Sequence, residues 1–433
     1  MTAPTAPLRL TARPERRLIR PTGSARRAGP GPDRPAVHLA LVLDRSGSMS
    51  GPKLATAKRA ALAVLDRLDE RDRVAVVVFD SQVDVLQPAA PVTAALKASV
   101  REALGAVRAR SSTALHQGWL SGCHAIAADT AAPAPAAGAG AGPGPAIARC
   151  FLLTDGLANV GLTDPEQIAT EAAGVREHAG VGTSTFGIGD DYDEALLAPL
   201  AAAGGGQFHH LRTAGEIART FAGELGELFA VAAAGAALDV ETDPGVSADV
   251  VSAYWTRAET AGPATRLTVA VGDLLAGEER HVVVRFAFPV SPSGGPGGLC
   301  RVRARVRWTA AGIEQATPWD ELGFGYATHA ACDAEPRDPG VMHWVGLDHA
   351  DRARREATEH SKRGDLAGAR NALRRVARRL SAYAAGDEAL EASLGELRDY
   401  ERVAADRHVA PAAAKEAWYQ TQRRSRGQRD HRG

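Results

Sequence analysis

Ala36-Val37-His38-Leu39-Ala40-Leu41-Val42-Leu43, closed by Asp44-Arg45-Ser46-Gly47-Ser48, is the stretch that decides how this chain is read. The first eight residues are almost continuously apolar, the pattern of a strand buried on both faces of a parallel sheet. The next five are polar and turn around Gly47. Side chains at the carboxyl end of such a strand face the crevice in which open α/β sheets bind their ligands. One carboxylate and two hydroxyls at alternate positions can point into one small volume. Oxygen-only donors suit a hard divalent ion, Mg²⁺ first and Mn²⁺ or Ca²⁺ next. Alone, the pentapeptide reads equally well as a plain Ser-Gly turn.

Two later features tip the balance. Ser111-Ser112-Thr113 follows one helical stretch and precedes another, Ala114 to Ala128, which puts the Thr113 hydroxyl at a helix start. Ile147 to Leu153 reads as a second apolar strand, closed by Thr154-Asp155-Gly156. The set Asp44, Ser46, Ser48, Thr113 and Asp155 closely resembles the metal-ion-dependent adhesion site of von Willebrand factor type A domains. The resemblance covers about residues 36 to 232 and includes all five ligand positions in the family's order. It also takes in Leu153 to Gly161, and the strand ends Gly187 to Tyr192 and Gly204 to Phe208 resemble those of bacterial members. It implies that Ser46, Ser48 and Thr113 touch the ion, while Asp44 and Asp155 act through bound water or hydrogen bonds.

Such a site points to binding and not to turnover. With neutral hydroxyls in the direct positions, the ion keeps most of its charge and one open position. A partner's Asp or Glu can then complete an octahedron at ligand distances of about 2.0–2.1 Å. Hydrolytic metal sites need a base or nucleophile as well, and no His, Lys or Cys stands out beside these loops. His116, one turn after Thr113, reads as a packed or surface residue. An aspartate-based phosphatase would need a second Asp two residues after Asp44, where Ser46 stands, and a Lys near the metal. Ser50-Gly51-Pro52-Lys53 spells S-x-x-K but lacks the companion elements of serine hydrolases. The expectation is therefore a metal-dependent protein-binding module, an intracellular scaffold or assembly factor, without enzymatic activity. Bacterial type A proteins often work with AAA-type ATPases, a partner that the resemblance implies and these residues do not indicate. A different reading makes the ion structural and gives partner binding to the later segments.

The 433 residues suggest about two or three domains. With 51 basic and 51 acidic side chains, no overall charge favours nucleic acid. No apolar run approaches the ~18 residues of a spanning helix and the start lacks a signal-like segment. The reading is a cytoplasmic protein without membrane or nucleic-acid partners. Cys123, Cys150, Cys300 and Cys332 are scattered and read as buried small hydrophobes in a reducing compartment.

The expected fold class is α/β. A Rossmann-like, doubly wound domain over 36–232 is followed by an all-β sandwich over 233–325 and a helical hairpin or bundle over 341–405. Residues 1–35 are rich in Arg and Pro, and Leu8 to Arg13 alternates as a strand that could join the sandwich. Residues 406–433 read as a basic, disordered tail. In the first domain the periodicity predicts helices at Lys53–Leu68, Ala94–Ala109, Pro165–Ala179, Glu194–Ala203 and Glu216–Val231, and strands at Val74–Phe79, Thr183–Ile188 and Gln207–Leu211. Val83 to Leu86 reads as a short antiparallel edge. Ala131 to Pro145 is nearly all Ala, Gly and Pro; it lacks the Lys-Ser/Thr of a phosphate loop and reads as a disordered surface loop.

The sandwich strands are expected at Ala237–Thr242, Ser247–Trp255, Ala264–Val271, Arg280–Val290 and Cys300–Trp308. The all-Arg face of Arg301 to Arg307 reads as a solvated strand face. Helices at Val341–Lys362, Asp365–Ala384 and Asp387–Ala404 break at Gly364 and Gly386, with Asp365 and Asp387 at the caps. Arg363-Gly364-Asp365 spells an adhesion tripeptide but sits where turn and cap chemistry explain it. The succession of domains resembles bacterial proteins akin to the calcium-activated chloride channel and inter-α-inhibitor heavy chain group.

Overall fold

The computed structural model describes residues 35–406 apart from 111, 131–145, 190, 262–263, 276–277, 290–297, 311–312 and 385. The N-terminal strand, the Ala/Gly/Pro loop and the basic tail expected from the sequence lie outside the described residues. Strands β1 (Val37–Asp44), β2 (Arg73–Phe79), β3 (Val83–Pro91), β4 (Ile147–Thr154), β5 (Val181–Ile188) and β6 (Gly205–Leu211) form one sheet in the order β3-β2-β1-β4-β5-β6. All neighbours are parallel except β3, which runs antiparallel to β2. The antiparallel edge thus exists, and it is longer than the four residues expected.

Alternation along β1 divides the core. Val37, Leu39, Leu41 and Leu43 face helices α1 (Pro52–Arg67), α2 (Ala94–Ala106) and α6 (Ile217–Leu228). Ala40 and Val42 face α3 (Leu115–Thr130), α4 (Pro165–Ala179) and α5 (Glu194–Ala203). The small residues on one side let α3 lie close: a Cβ on Gly122 would stand 2.2 Å from Val42 Cγ2. Between β1 and β4 the chain changes its direction of winding, the place where this topology opens a crevice at the strand ends.

Seven of the remaining strands follow directly: β7 (Val231–Thr242), β8 (Ser247–Val250), β9 (Trp255–Ala261), β10 (Ala264–Leu275), β11 (Val284–Ala287), β12 (Leu299–Ala310) and β13 (Ile313–Ala316). The eighth is β14 (Asp320–Gly325). One antiparallel sheet runs β13-β12-β7-β10-β9 with β14 also on β12, and β8 and β11 form a second, two-stranded sheet. Val250, Val284 and Phe286 of the small sheet pack on Leu238, Val269 and Val302 of the large one. The expected single strand Ser247–Trp255 is in fact two, because the chain leaves one sheet after Val250 and enters the other at Trp255. Of the expected Arg280–Val290 strand, the described residues form β only over Val284–Ala287, and β13 and β14 are additional to the expected strands. The arginine face is neutralised: Arg303 and Arg305 stand opposite Glu241 and Asp239 of β7, and both guanidinium groups stack on Trp319.

A short helix α7 (His329–Ala334) precedes the bundle of α8 (Pro339–Lys362), α9 (Leu366–Leu380) and α10 (Glu388–Asp406). Ala350, Ala353, Leu373, Leu380, Leu390 and Leu397 form its core. Arg363-Gly364-Asp365 is a turn and cap, as expected: Gly364 has a positive φ, and the Asp365 carboxylate accepts the Gly368 N–H at 2.8 Å. Cys123, Cys150 and Cys300 are buried free thiols, whereas Cys332, on α7, is exposed and corrects the expectation of four buried cysteines. Among the described residues no helix is long and apolar enough to cross a membrane.

Candidate metal centre

The three loops that carry Asp44, Thr113 and Asp155 meet above the junction of β1 and β4. Register explains part of this: Leu43 lies opposite Leu153, so the two strands end side by side. The rest comes from cross-links. Arg45 donates its backbone N–H to Phe79 O and accepts from Arg110 N, each at 2.8 Å, while Ala114 N donates to Asp80 O at 2.6 Å. The side chains of Arg45 and Arg110 both reach Asp80, at 3.0 and 2.8 Å. Asn159 then clamps Thr113, accepting its N–H at 2.8 Å through Oδ1 and donating its own N–H to Thr113 O.

Asp44 and Asp155 are both fully buried. Asp44 Oδ1 accepts the Ser46 N–H at 2.7 Å and Oδ2 accepts the Thr154 hydroxyl at 2.5 Å. Burial pushes the Asp44 carboxyl up to about 6; the Thr154 and Ser46 hydrogen bonds oppose this and the charge of Asp155 adds to it. Asp155 Oδ1 accepts the Ser48 hydroxyl at 2.7 Å, and the Ser46 and Ser48 hydroxyl oxygens lie 3.1 Å apart.

Gly156 tests whether these atoms fit a metal ion. A Cβ built on it would meet Ser48 Oγ at 3.4 Å, Thr113 Oγ1 at 3.5 Å and Ser46 Oγ at 3.9 Å. Three hydroxyls from two loops therefore converge on one point, with two carboxylates behind them. Neutral oxygens in front and anionic oxygens behind make a donor set suited to a hard dication. All five residues read from the sequence are brought together.

Sequence reasoning missed three neighbours. Lys53 lies beside the cup, its Nζ 2.5 Å from Asp155 Oδ2, which corrects the expectation that no lysine stands by these loops. Thr154 and Asn159 hold Asp44 and Thr113 in place by hydrogen bonds. Position was the available signal: Lys53 lies in the first turn of the helix that the Ser48 loop feeds, and Thr154 immediately precedes Asp155. His116, as expected, is packed, with Nε2 2.6 Å from Glu171 and its ring against Trp119. Leu157, next to Gly156, is 56% exposed, a large apolar side chain at the rim.

A doubly wound sheet with one antiparallel edge strand and an oxygen-lined cup at its switch point defines an α/β domain of the type A class. Residues 38–222 match the von Willebrand factor type A domain family, and the chain carries that domain. An uncharacterized protein of Synechocystis is 30% identical over 186 residues, 43% of this chain and 40% of that protein. Human inter-alpha-trypsin inhibitor heavy chain H4 is 28% identical over 172 residues, 39% of this chain and 17% of that protein. The chain thus spans less than half the length of these curated relatives. Among solved structures, a von Willebrand factor type A protein from Catenulispora acidiphila aligns over 90% of this chain and 89% of its own, with a TM-score of 0.64 and 19% identity. The ArnB paralog VWA2 from Sulfolobus acidocaldarius aligns over 91% and 89%, with a TM-score of 0.54 and 15% identity. These two likenesses concern the fold, including its antiparallel sheets and C-terminal helices.

Proposed function

We propose that this chain is a metal-dependent protein-binding module, a cytoplasmic scaffold or assembly factor, that captures an Asp or Glu of a partner protein. Ser46, Ser48 and Thr113 would hold the ion, Mg²⁺ in the first place, with Asp44 and Asp155 behind them. When bound there, the ion supplies an open position for the partner's carboxylate. The observation that carries this reading is the convergence of three hydroxyls above Gly156. The charge balance supports it: two carboxylates and one ammonium leave a single negative charge, so a dication turns the site positive.

Binding is favoured over hydrolysis by the state of Asp44. A nucleophilic aspartate needs an open oxygen, and both oxygens of this buried carboxylate are engaged by its own loop and by Thr154. Lys53 meets one requirement of an aspartate-based phosphatase, but Ser46 still occupies the place of its acid. The test is recovery of partners from lysate with the full chain, in Mg²⁺ and in chelator, using wild type and Thr113→Ala. Recovery is expected in Mg²⁺ alone and only with wild type. Equal recovery in all four arms would place the partner surface elsewhere and leave any ion a structural part.

A further inference from the structure

Lys53 is the second residue of α1, behind Pro52, with 29% of its side chain exposed. Its Nζ rests on Asp155 Oδ2, while the other oxygen of that carboxylate takes the hydroxyl of Ser48, a member of the cup. One carboxylate's width therefore separates the ammonium from the hydroxyls. The nearby guanidinium of Arg45 is spent on Asp80 and Asp84. Lys53 also borders the end of β5, since a Cβ on Gly189 would stand 4.0 Å from its Nζ.

Resting on the function proposed above, we infer that Lys53 sets the balance between the two guests of this site. Its positive charge works against the dication and in favour of the acid that follows. Like charges at this separation repel, and the partly buried setting screens them less than water would. An arriving carboxylate has one oxygen for the ion and a second that the flexible ammonium can meet with a charge-assisted hydrogen bond. Lys53 would thus be a positioning and specificity residue that keeps metal affinity moderate while selecting acids. A purely structural anchor predicts the opposite sign for the metal, because removing it would loosen Asp155 and weaken ion binding.

The experiment titrates the full chain with Mn²⁺, reading free ion by electron paramagnetic resonance. The Mn²⁺-loaded protein is then titrated with acetate, reading water-proton relaxation. Lys53→Met and Lys53→Gln, two charge-removing variants of which either suffices, are expected to bind Mn²⁺ about tenfold tighter and acetate about tenfold weaker than wild type. Lys53→Arg should stay near wild type in both. Unchanged or weaker Mn²⁺ binding in the charge-removing variants overturns the inference, as does undiminished acetate binding. A wild-type chain that leaves the free-ion signal intact overturns the underlying function too, which separates the two failures.

Discussion

Gly156 occupies the floor of the cup, and its size is what keeps the cup open. Its φ is not in the left-handed region, so the backbone there accepts an L-residue. An added methyl would meet the three hydroxyls at ordinary contact distances and take the space they enclose. Gly156→Ala is therefore expected to fold with stability within about 1 kcal/mol of wild type, the usual range where no clash arises. It should bind Mn²⁺ at least about tenfold more weakly, since the ion's direct positions are obstructed. Thermal melting and a metal titration on the same sample check both halves. A variant that keeps wild-type affinity would show that the hydroxyls are not the ion's ligands. At this scale Lys53 was the residue least legible in advance: its contact with Asp155 spans 102 positions and depends on the direction of a long side chain.

At the scale of elements, two helical glycines should respond oppositely to the same change. Gly122 lies against β1, and the Cβ of Gly122→Ala would overlap Val42; overpacking of this kind costs about 1–3 kcal/mol. Gly174 in α4 faces open space, so Gly174→Ala should gain about 0.5–1 kcal/mol from helix propensity. Denaturant unfolding measures both, and equal effects would contradict the close seating of α3. The same elements show what a one-dimensional reading captures. The strands of the parallel sheet were visible because burial on both faces leaves unbroken apolar runs such as Val74 to Phe79. The five residues of the cup were visible because Asp44 and Asp155 end apolar strands, Ser46 and Ser48 alternate after Asp44, and Thr113 precedes a helix. The break at Val251 to Tyr254 was not, because no Gly or Pro marks it and β-forming Val, Tyr and Trp run on while the chain changes sheets. Nor were β13 and β14, whose mixed residues are mostly exposed.

Across the whole molecule, the three structural units meet through both apolar and polar contacts, Trp255 of β9 packing on the core of the α/β domain. Arg149 of β4 pairs with Asp273 of β10, and Ser252 donates its hydroxyl to Asp348 of α8. Burial pushes the Asp348 carboxyl up to about 6, with the charge of Asp351 adding to it and the Ser252 hydrogen bond opposing it. A carboxyl whose folded value exceeds its unfolded value of 3.8 penalises folding when ionised in both states. That penalty is full above pH 6 and fades as the pH falls from about 6 towards 3.8. Asp348→Asn is thus expected to raise stability by about 2 kcal/mol at pH 8, from ~1.4 kcal/mol per unit discounted for partial exposure. The gain should vanish near pH 4. A gain independent of pH in unfolding curves would assign it to packing instead.

The strand order of the parallel sheet has a further consequence, for synthesis. β1 lies between β2 and β4, yet β4 is encoded some hundred positions after it. A nascent chain that has not yet delivered Ile147–Thr154 leaves one edge of β1 bare, and that edge is apolar on both faces. Until β4 docks, β1 is paired on one side alone, and the cup, which needs Asp155 beyond the end of β4, comes into being only with that late step.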